Sequence, residues 1–335
     1  VWVGIFNMMV VAQFWAFAND LYSEEQGKRL FPLVGIGASV GATAGAGVAR
    51  ILVDALGPYP MLAVAGGLLV LFAALTQVIH VREVKRAGLD PSEVYGDDEE
   101  APRAEKKGAK PFRMVFRYRY LTYLAAFSLV FTFVNTNGEY MLSVLVKEAA
   151  NARAAAGTLG DMDEGQWIGA FYSEFFLYVN ILGVVLQAFV VSRLVRYFGL
   201  PFTFFILPAI ALADATAIAI VPALAIIRVG KIAENATDYS INNTVRNMLW
   251  LPTTRDMKYN AKQAVDTFFV RMGDVASALL VFFGAQLLGW TVRWFAVGNV
   301  VLIAVWCLLG VGIFRQMENM RRIQAEEEGR EVASA

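Results

Sequence analysis

Residues 59–81 read YPMLAVAGGLLVLFAALTQVIHV, a run with no Asp, Glu, Lys or Arg, and the positions after it turn abruptly basic. A stretch of about 20 apolar residues crosses a hydrocarbon core about 30 Å thick, so this run reads as a membrane span. The rest of the chain repeats the pattern. Over 335 residues it is 57% hydrophobic and only 17% charged, with a mean hydropathy of +0.51, which is too apolar for a soluble domain of this size. Working outward from 59–81, the same rule marks spans at 1–20, 30–56, 119–147, 166–195, 200–221, 223–250, 263–288 and 291–315. Breakers stand between them: Gly57-Pro58-Tyr59-Pro60, Gly199-Leu200-Pro201 and Pro252. Backbone groups in a bilayer must be satisfied within the segment, so runs of this length are helices.

The basic residues give these spans a direction. Arg82, Lys85, Arg86, Arg103, Lys106, Lys107, Lys110, Arg113, Arg117 and Arg119 crowd the connection after residue 81, which places it in the cytoplasm. Lys28 and Arg29, Arg193 and Arg196, Arg255, Lys258 and Lys262, and Arg315, Arg321 and Arg322 then all fall on that same side. The connection also carries Asp97-Asp98-Glu99-Glu100 and little apolar content, as a flexible linker does. Three spans precede it and six follow. That layout is similar to the major facilitator architecture, two six-helix halves around a midplane site. The expected class is therefore an all-α polytopic membrane protein, a major-facilitator-like bundle with nine of an original twelve helices. Residues 1–83 would be the last three helices of an N-terminal half, 84–117 a cytoplasmic linker, 118–317 a six-helix C-terminal half and 318–335 a cytoplasmic tail. The opening at Val1 inside an apolar run is read as a piece of a longer protein.

Several chemistries have no residues to support them. With one cysteine and one histidine, Cys307 and His80, neither an intrachain disulfide framework nor a Cys/His metal site is expected. Formal net charge is zero, and no nucleic-acid partner is expected. There is no G-x-x-x-x-G-K-[ST], so ATP would be cargo and not fuel. H-E-x-x-H and G-x-S-x-G are absent as well, and no catalytic residue or cofactor is assigned.

Charge inside the spans points to solute movement. Ionisable groups at bilayer depth are costly and usually face a partner or a water-filled cavity. Spans 59–81 and 291–315 have almost none, and 200–221 has only Asp214, whereas the other helices carry Glu139, Glu174, Arg228, Lys231, Glu234, Asp238, Asp266, Arg271 and Asp274. Arg228, Lys231, Asn235, Asp238, Asn242 and Arg246 recur at spacings of three or four, which puts a polar stripe on one helical face. Salt bridging within the stripe, for example of Arg228 and Lys231 with Glu234, is the bland alternative. Arg271 and Asp274 are three apart and can pair, whereas Asp266 is left for another partner. Arg228, Lys231 and Arg271 are expected to form the cationic side of a site, with Glu139 and Asp266 holding them when it is empty. Gly37, Gly41, Gly45 and Ala49 form a small-residue seam for close helix approach.

Two stretches carry a family resemblance. One is Phe14-Trp15-Ala16-Phe17-Ala18-Asn19, with Glu24-Glu25, Lys28-Arg29-Leu30-Phe31-Pro32-Leu33 and Gly35-Ile36-Gly37-Ala38. The other is Tyr239-Ser240-Ile241, Arg246-Asn247-Met248-Leu249-Trp250-Leu251-Pro252, Lys258, Ala261-Lys262-Gln263-Ala264-Val265-Asp266 and Arg271-Met272-Gly273. Together they resemble the FW-x-FAN … RFYPL and KEM-x-x-IP … GKAAID segments of the ATP/ADP translocases of plastids and obligate intracellular bacteria. Gln26, Asn247 and Ala261 depart from that pattern. The resemblance implies counter-exchange of ATP for ADP, residence in a bacterial inner membrane, and site roles for Lys258, Lys262, Asp266 and Glu139. The substrate-binding set is thus Glu139, Arg228, Lys231, Asp238, Asn242, Lys258, Lys262, Asp266 and Arg271, with a nucleotide or other anion and the lipid bilayer as partners. A proton-linked permease using Glu139, Asp214 or Glu174, and a non-transporting scaffold or sensor, are the competing readings.

Overall fold

The structure, a computed structural model, describes residues 10–11, 14–15, 17–19, 22, 26–27, 29–38, 40–41, 45, 58–86, 111–160, 162–254 and 256–334. These are almost entirely helical, with no strand among them. Most of the first and second spans and linker positions 87–110 lie outside the described residues. Two compact units divide the chain, Gly37–Lys110 and Val1–Ile36 with Pro111–Ala335.

The smaller unit contains one long described helix. A short apolar helix, α1 (Arg29–Ala38), precedes it in the chain, and the helix itself, α2 (Pro58–Arg86), starts on Pro58, where a missing N–H costs nothing. Its large side chains are open, with Leu68 at 61% and Val70 at 71% exposure. No described atom lies within 4 Å of a Cβ built on Gly37, Gly41 or Gly45, so the glycine seam has no packing partner among the described residues, and Ala49 lies outside them.

The larger unit is organised by α4 (Arg119–Ala155), which follows a short helix, α3 (Pro111–Arg117). Positions 111–117 were expected to be linker. There α3 sets Phe112 edge-on against Phe268 and Phe116 against Phe269, ring contacts made while Phe112, Phe116 and Phe268 stay exposed. After α4 come α5 (Glu164–Val185) and α6 (Ser192–Ile220), joined by a π turn at Leu186–Val191. A capping box starts α5: Asp163 Oδ1 accepts from Gln166 N at 2.7 Å while Gln166 Oε1 accepts from Asp163 N at 3.0 Å. The apolar run Glu164–Ile220 is 57 residues long, which as one straight helix would measure about 85 Å. Gly199 breaks it. At φ 79°, ψ 172° its backbone is of a kind that only glycine adopts readily, and Pro201 follows. The kink falls where the Gly199-Leu200-Pro201 signal had placed a boundary.

α7 begins at Leu224, winds as α-helix to Thr237, passes a π turn at Asp238–Asn242 and ends at Met248. α8 (Met257–Leu287) holds three more π turns, at Met257–Ala261, Val265–Phe269 and Phe282–Leu287. α9 (Val292–Ser334) continues as helix through the segment expected to be a tail. α8 and α9 both pack along α4, α9 also along α6, and α7 touches α4, α5 and α6. The apolar core gathers Met141, Leu145, Phe175, Ile218, Ile227 and Phe295. Amide groups lock the helices in register: Asn137 Nδ2 donates to Asn299 Oδ1 at 2.7 Å, and Asn299 Nδ2 to Val134 O at 3.2 Å. Tyr120 donates its hydroxyl to Leu249 O at 2.5 Å, satisfying a carbonyl left open where α7 ends. Among the described residues three helical runs, Glu164–Ile220, Met257–Leu287 and Val292–Glu326, are long and apolar enough to cross a membrane. The chain is an all-α membrane protein.

Candidate functional site

Phe131, Asn135 and Glu139 stand four residues apart on α4 and therefore share one face, over a rise of about 12 Å. The charged groups of α7 and α8 meet that face in sequence. Lys231 is fully buried and reaches Asn135 Oδ1 at 3.0 Å, Glu139 Oε1 at 3.3 Å and Glu234 Oε2 at 2.9 Å. Asn235 completes this cluster, its Nδ2 donating to Glu139 Oε1 at 3.0 Å. Asp214 of α6 is buried nearby against Gly230, and a Cβ added there would overlap its carboxylate. Its Oδ1 has no hydrogen-bond partner among the described residues.

A second cluster lies toward Phe131. Arg246 sits over that ring at 5.2 Å and approaches Asp266 Oδ1 at 3.8 Å. Lys262 is buried, holds Asp266 Oδ2 at 2.6 Å, donates to Asn247 Oδ1 at 3.2 Å, and lies over the Trp250 ring at 5.3 Å. Desolvating a charge is tolerable only with partners of this kind. Asp238 and Asn242 bracket the π turn of α7 and bond each other, Asn242 Nδ2 to Asp238 Oδ1 at 2.7 Å. Lys258 and Asp266 also stand in π turns. Such turns gather where site residues must leave the regular α-helical register.

The residues expected to act together are thus divided among separate groups. Glu139 holds Lys231 as anticipated. Asp266 is taken by Lys262 and Arg246, while Arg271 is held by Asp274 at 2.8 Å, near Thr136. Arg228 reaches across to Glu174 of α5 at 2.9 Å and lies over Phe171, so only Lys231 uses Glu234 within the stripe. Asn135 and Gln187 were missed, since an uncharged amide within a span gives no charge pattern to detect.

The two motif stretches meet in space. Lys258 Nζ donates to the carbonyl of Asn19 at 2.9 Å, 239 positions away. Gln187, in the π turn before α6, donates to Pro32 O at 2.8 Å and to Thr244 Oγ1 at 3.3 Å. Trp15 packs edge-on against Phe31, and a Cβ on Gly27 would strike Leu251. Asn19 is itself buried and donates Nδ2 to Trp15 O at 2.7 Å.

Comparison with known proteins places the chain in a family. The chain is 22% identical over 333 residues to ADP,ATP carrier protein 1 of Chlamydia pneumoniae, covering 90% of this chain and 63% of that protein. It therefore spans a little under two thirds of that relative's length. No solved structure matches it. The family model described as TLC ATP/ADP transporter matches residues 2–316, and the chain belongs to that family.

Proposed function

We propose that this chain is the larger part of a nucleotide transporter, exchanging or taking up ATP and ADP by alternating access of two helical halves. The observation that carries the reading is the pair of buried charge clusters along one face of α4, joined to membership of the TLC family. A polyphosphate brings several negative charges into a low-dielectric cavity, and fixed cations must meet them. Lys262 and Arg246 share a single carboxylate, so they can accept further negative charge. Lys231, with two carboxylates, would act as the empty-state lock. Arg228, Asp238, Asn242, Lys258 and Arg271 extend the polar path on either side. Uptake of labelled ATP, ADP and other nucleotides into liposomes containing the full-length protein tests this; no nucleotide uptake or exchange would refute it.

The architecture proposed with it is major-facilitator-like. Residues 1–83 supply the last three helices of one half, 84–117 the cytoplasmic linker, 118–317 the six helices of the other, and 318–335 a cytoplasmic continuation, with the whole in a bacterial inner membrane. A cysteine placed at Glu99 should be shielded from an impermeant reagent outside intact cells, and labelling there would invert the topology.

One observation favours a second reading, a proton-coupled permease for another anionic metabolite. Asp214 is a buried carboxyl with an oxygen that lacks a hydrogen-bond partner among the described residues, as a group that takes up a proton would be. Running the same uptake assay with and without a proton gradient separates the two.

A further inference from the structure

A cavity of about 1370 Å³ opens where α5 passes into α6, away from both charge clusters. Arg29, Arg193, Arg196 and Arg321 line it, with Glu318 the acidic residue among its lining. Among the described lining residues four guanidinium groups stand with one carboxylate, Glu318, which lies 3.5 Å from Arg321. The rest of the wall is of another kind. Tyr197, Gly199, Leu200, Pro201 and Phe314 also face it; Tyr197 is 70% exposed, and Phe189, Phe198 and Phe202, next to lining residues in the chain, are 60%, 60% and 51% exposed. Arg193 and Arg196 are anchored without losing that charge, Arg193 to Phe189 O and Arg196 over the Tyr197 ring.

The position explains the composition. The lining segments stand where apolar sequence gives way to charge: around the break at Gly199, along residues 314–321 of α9, and at the start of α1. Basic groups beside exposed aromatic rings at span ends are what the headgroup layer of a membrane selects, the rings seating at the interface and the cations meeting anionic lipid. We infer that this cavity binds an anionic phospholipid, its phosphodiester between Arg193, Arg196 and Arg321 and an acyl chain along Phe198 and Phe202. Arginine suits the role because its planar fork can give two hydrogen bonds to one phosphate. The cavity's break at Gly199 lies at the joint between two spans, so an occupied site would brace that joint.

The test uses full-length protein reconstituted in mixed phosphatidylglycerol and phosphatidylcholine vesicles, extracted, and weighed with its retained lipid by native mass spectrometry. Wild-type protein should retain phosphatidylglycerol above its share in the vesicle, with Arg193→Gln and Arg196→Gln each lowering the enrichment about five-fold, the weight of one basic group at the membrane surface. Both side chains are exposed, and unchanged thermal unfolding in pure phosphatidylcholine confirms that the variants fold. Absence of enrichment in the wild-type protein, or enrichment that survives both changes, overturns the assignment. So does displacement of the lipid by inorganic phosphate or by ATP, which would make the cavity a site for a free anion. Nucleotide uptake is measured separately, and its failure leaves the lipid result standing.

Discussion

Lys231 and Lys262 are both buried lysines facing the bundle interior, and they are held in opposite ways. Lys231 has two carboxylates within 3.3 Å, so its group carries a formal surplus of one negative charge. Lys262 shares Asp266 with Arg246, so two cations have a single carboxylate in ion-pair contact between them. The same residue type, equally desolvated, is locked in one place and left receptive to an anion in the other. What a buried cation can do is decided by the count of its partners, because an uncompensated charge in a low-dielectric interior seeks the next available counter-charge.

The largest effect expected from breaking this contrast is on stability. Lys231→Gln leaves Glu139 and Glu234 facing each other without a cation, and should cost about 3 kcal/mol or more. Thermal unfolding in detergent measures it, and adding Glu234→Gln should restore much of the loss. If the single change is no worse than Arg271→Gln, the lock does not exist. Next in size is Gly230→Ala, whose methyl group would drive into the Asp214 carboxylate. A loss of about 1–3 kcal/mol is expected from such overpacking, and an undisturbed melting temperature would show that α6 and α7 separate at little cost.

Ligand binding sharpens the contrast further. Lys262→Gln or Arg246→Gln should weaken ATP about ten-fold, the share of one charged hydrogen bond, and AMP by less. The doubly neutral Lys231→Gln, Glu234→Gln protein should hold both nucleotides nearly as before. Titrations that give the reverse order would move the anion site to Lys231. The smallest change is Arg271→Gln: its side chain is 57% exposed beside Asp274, and an open pair of this kind is worth under about 1 kcal/mol. A large drop in stability there would mean that the pair is shielded in the bilayer.

Much of the frame was legible beforehand. Pro58 starts α2, Gly199 kinks α6 near its start, and α7 begins at Leu224 beside the expected boundary. These positions follow from hydrophobic length and from what glycine and proline do to a backbone, both local properties. The stripe on α7 was visible as periodicity, and its partners were not. Arg228 and Lys231 lie three residues apart, yet one pairs with α5 and the other with α4. The π turns escaped for a related reason: an inserted residue shifts the helical phase without any compositional mark, so spacing rules carry across Asp238–Asn242 and Val265–Phe269 as though the helix were regular.

By itself the sequence determined that this chain crosses a membrane, where its helices break and which of them carry charge, because a bilayer imposes length and polarity on each segment separately. Tertiary structure alone decided which charges meet. Asn19 accepts from Lys258 across 239 positions, Asp266 goes to Lys262 and Arg246 and leaves Arg271 to Asp274, and Asn135 joins Lys231. Ion pairing depends on distances of a few ångströms between separate helices, and those distances are set by packing around α4, to which no residue spacing along the chain corresponds.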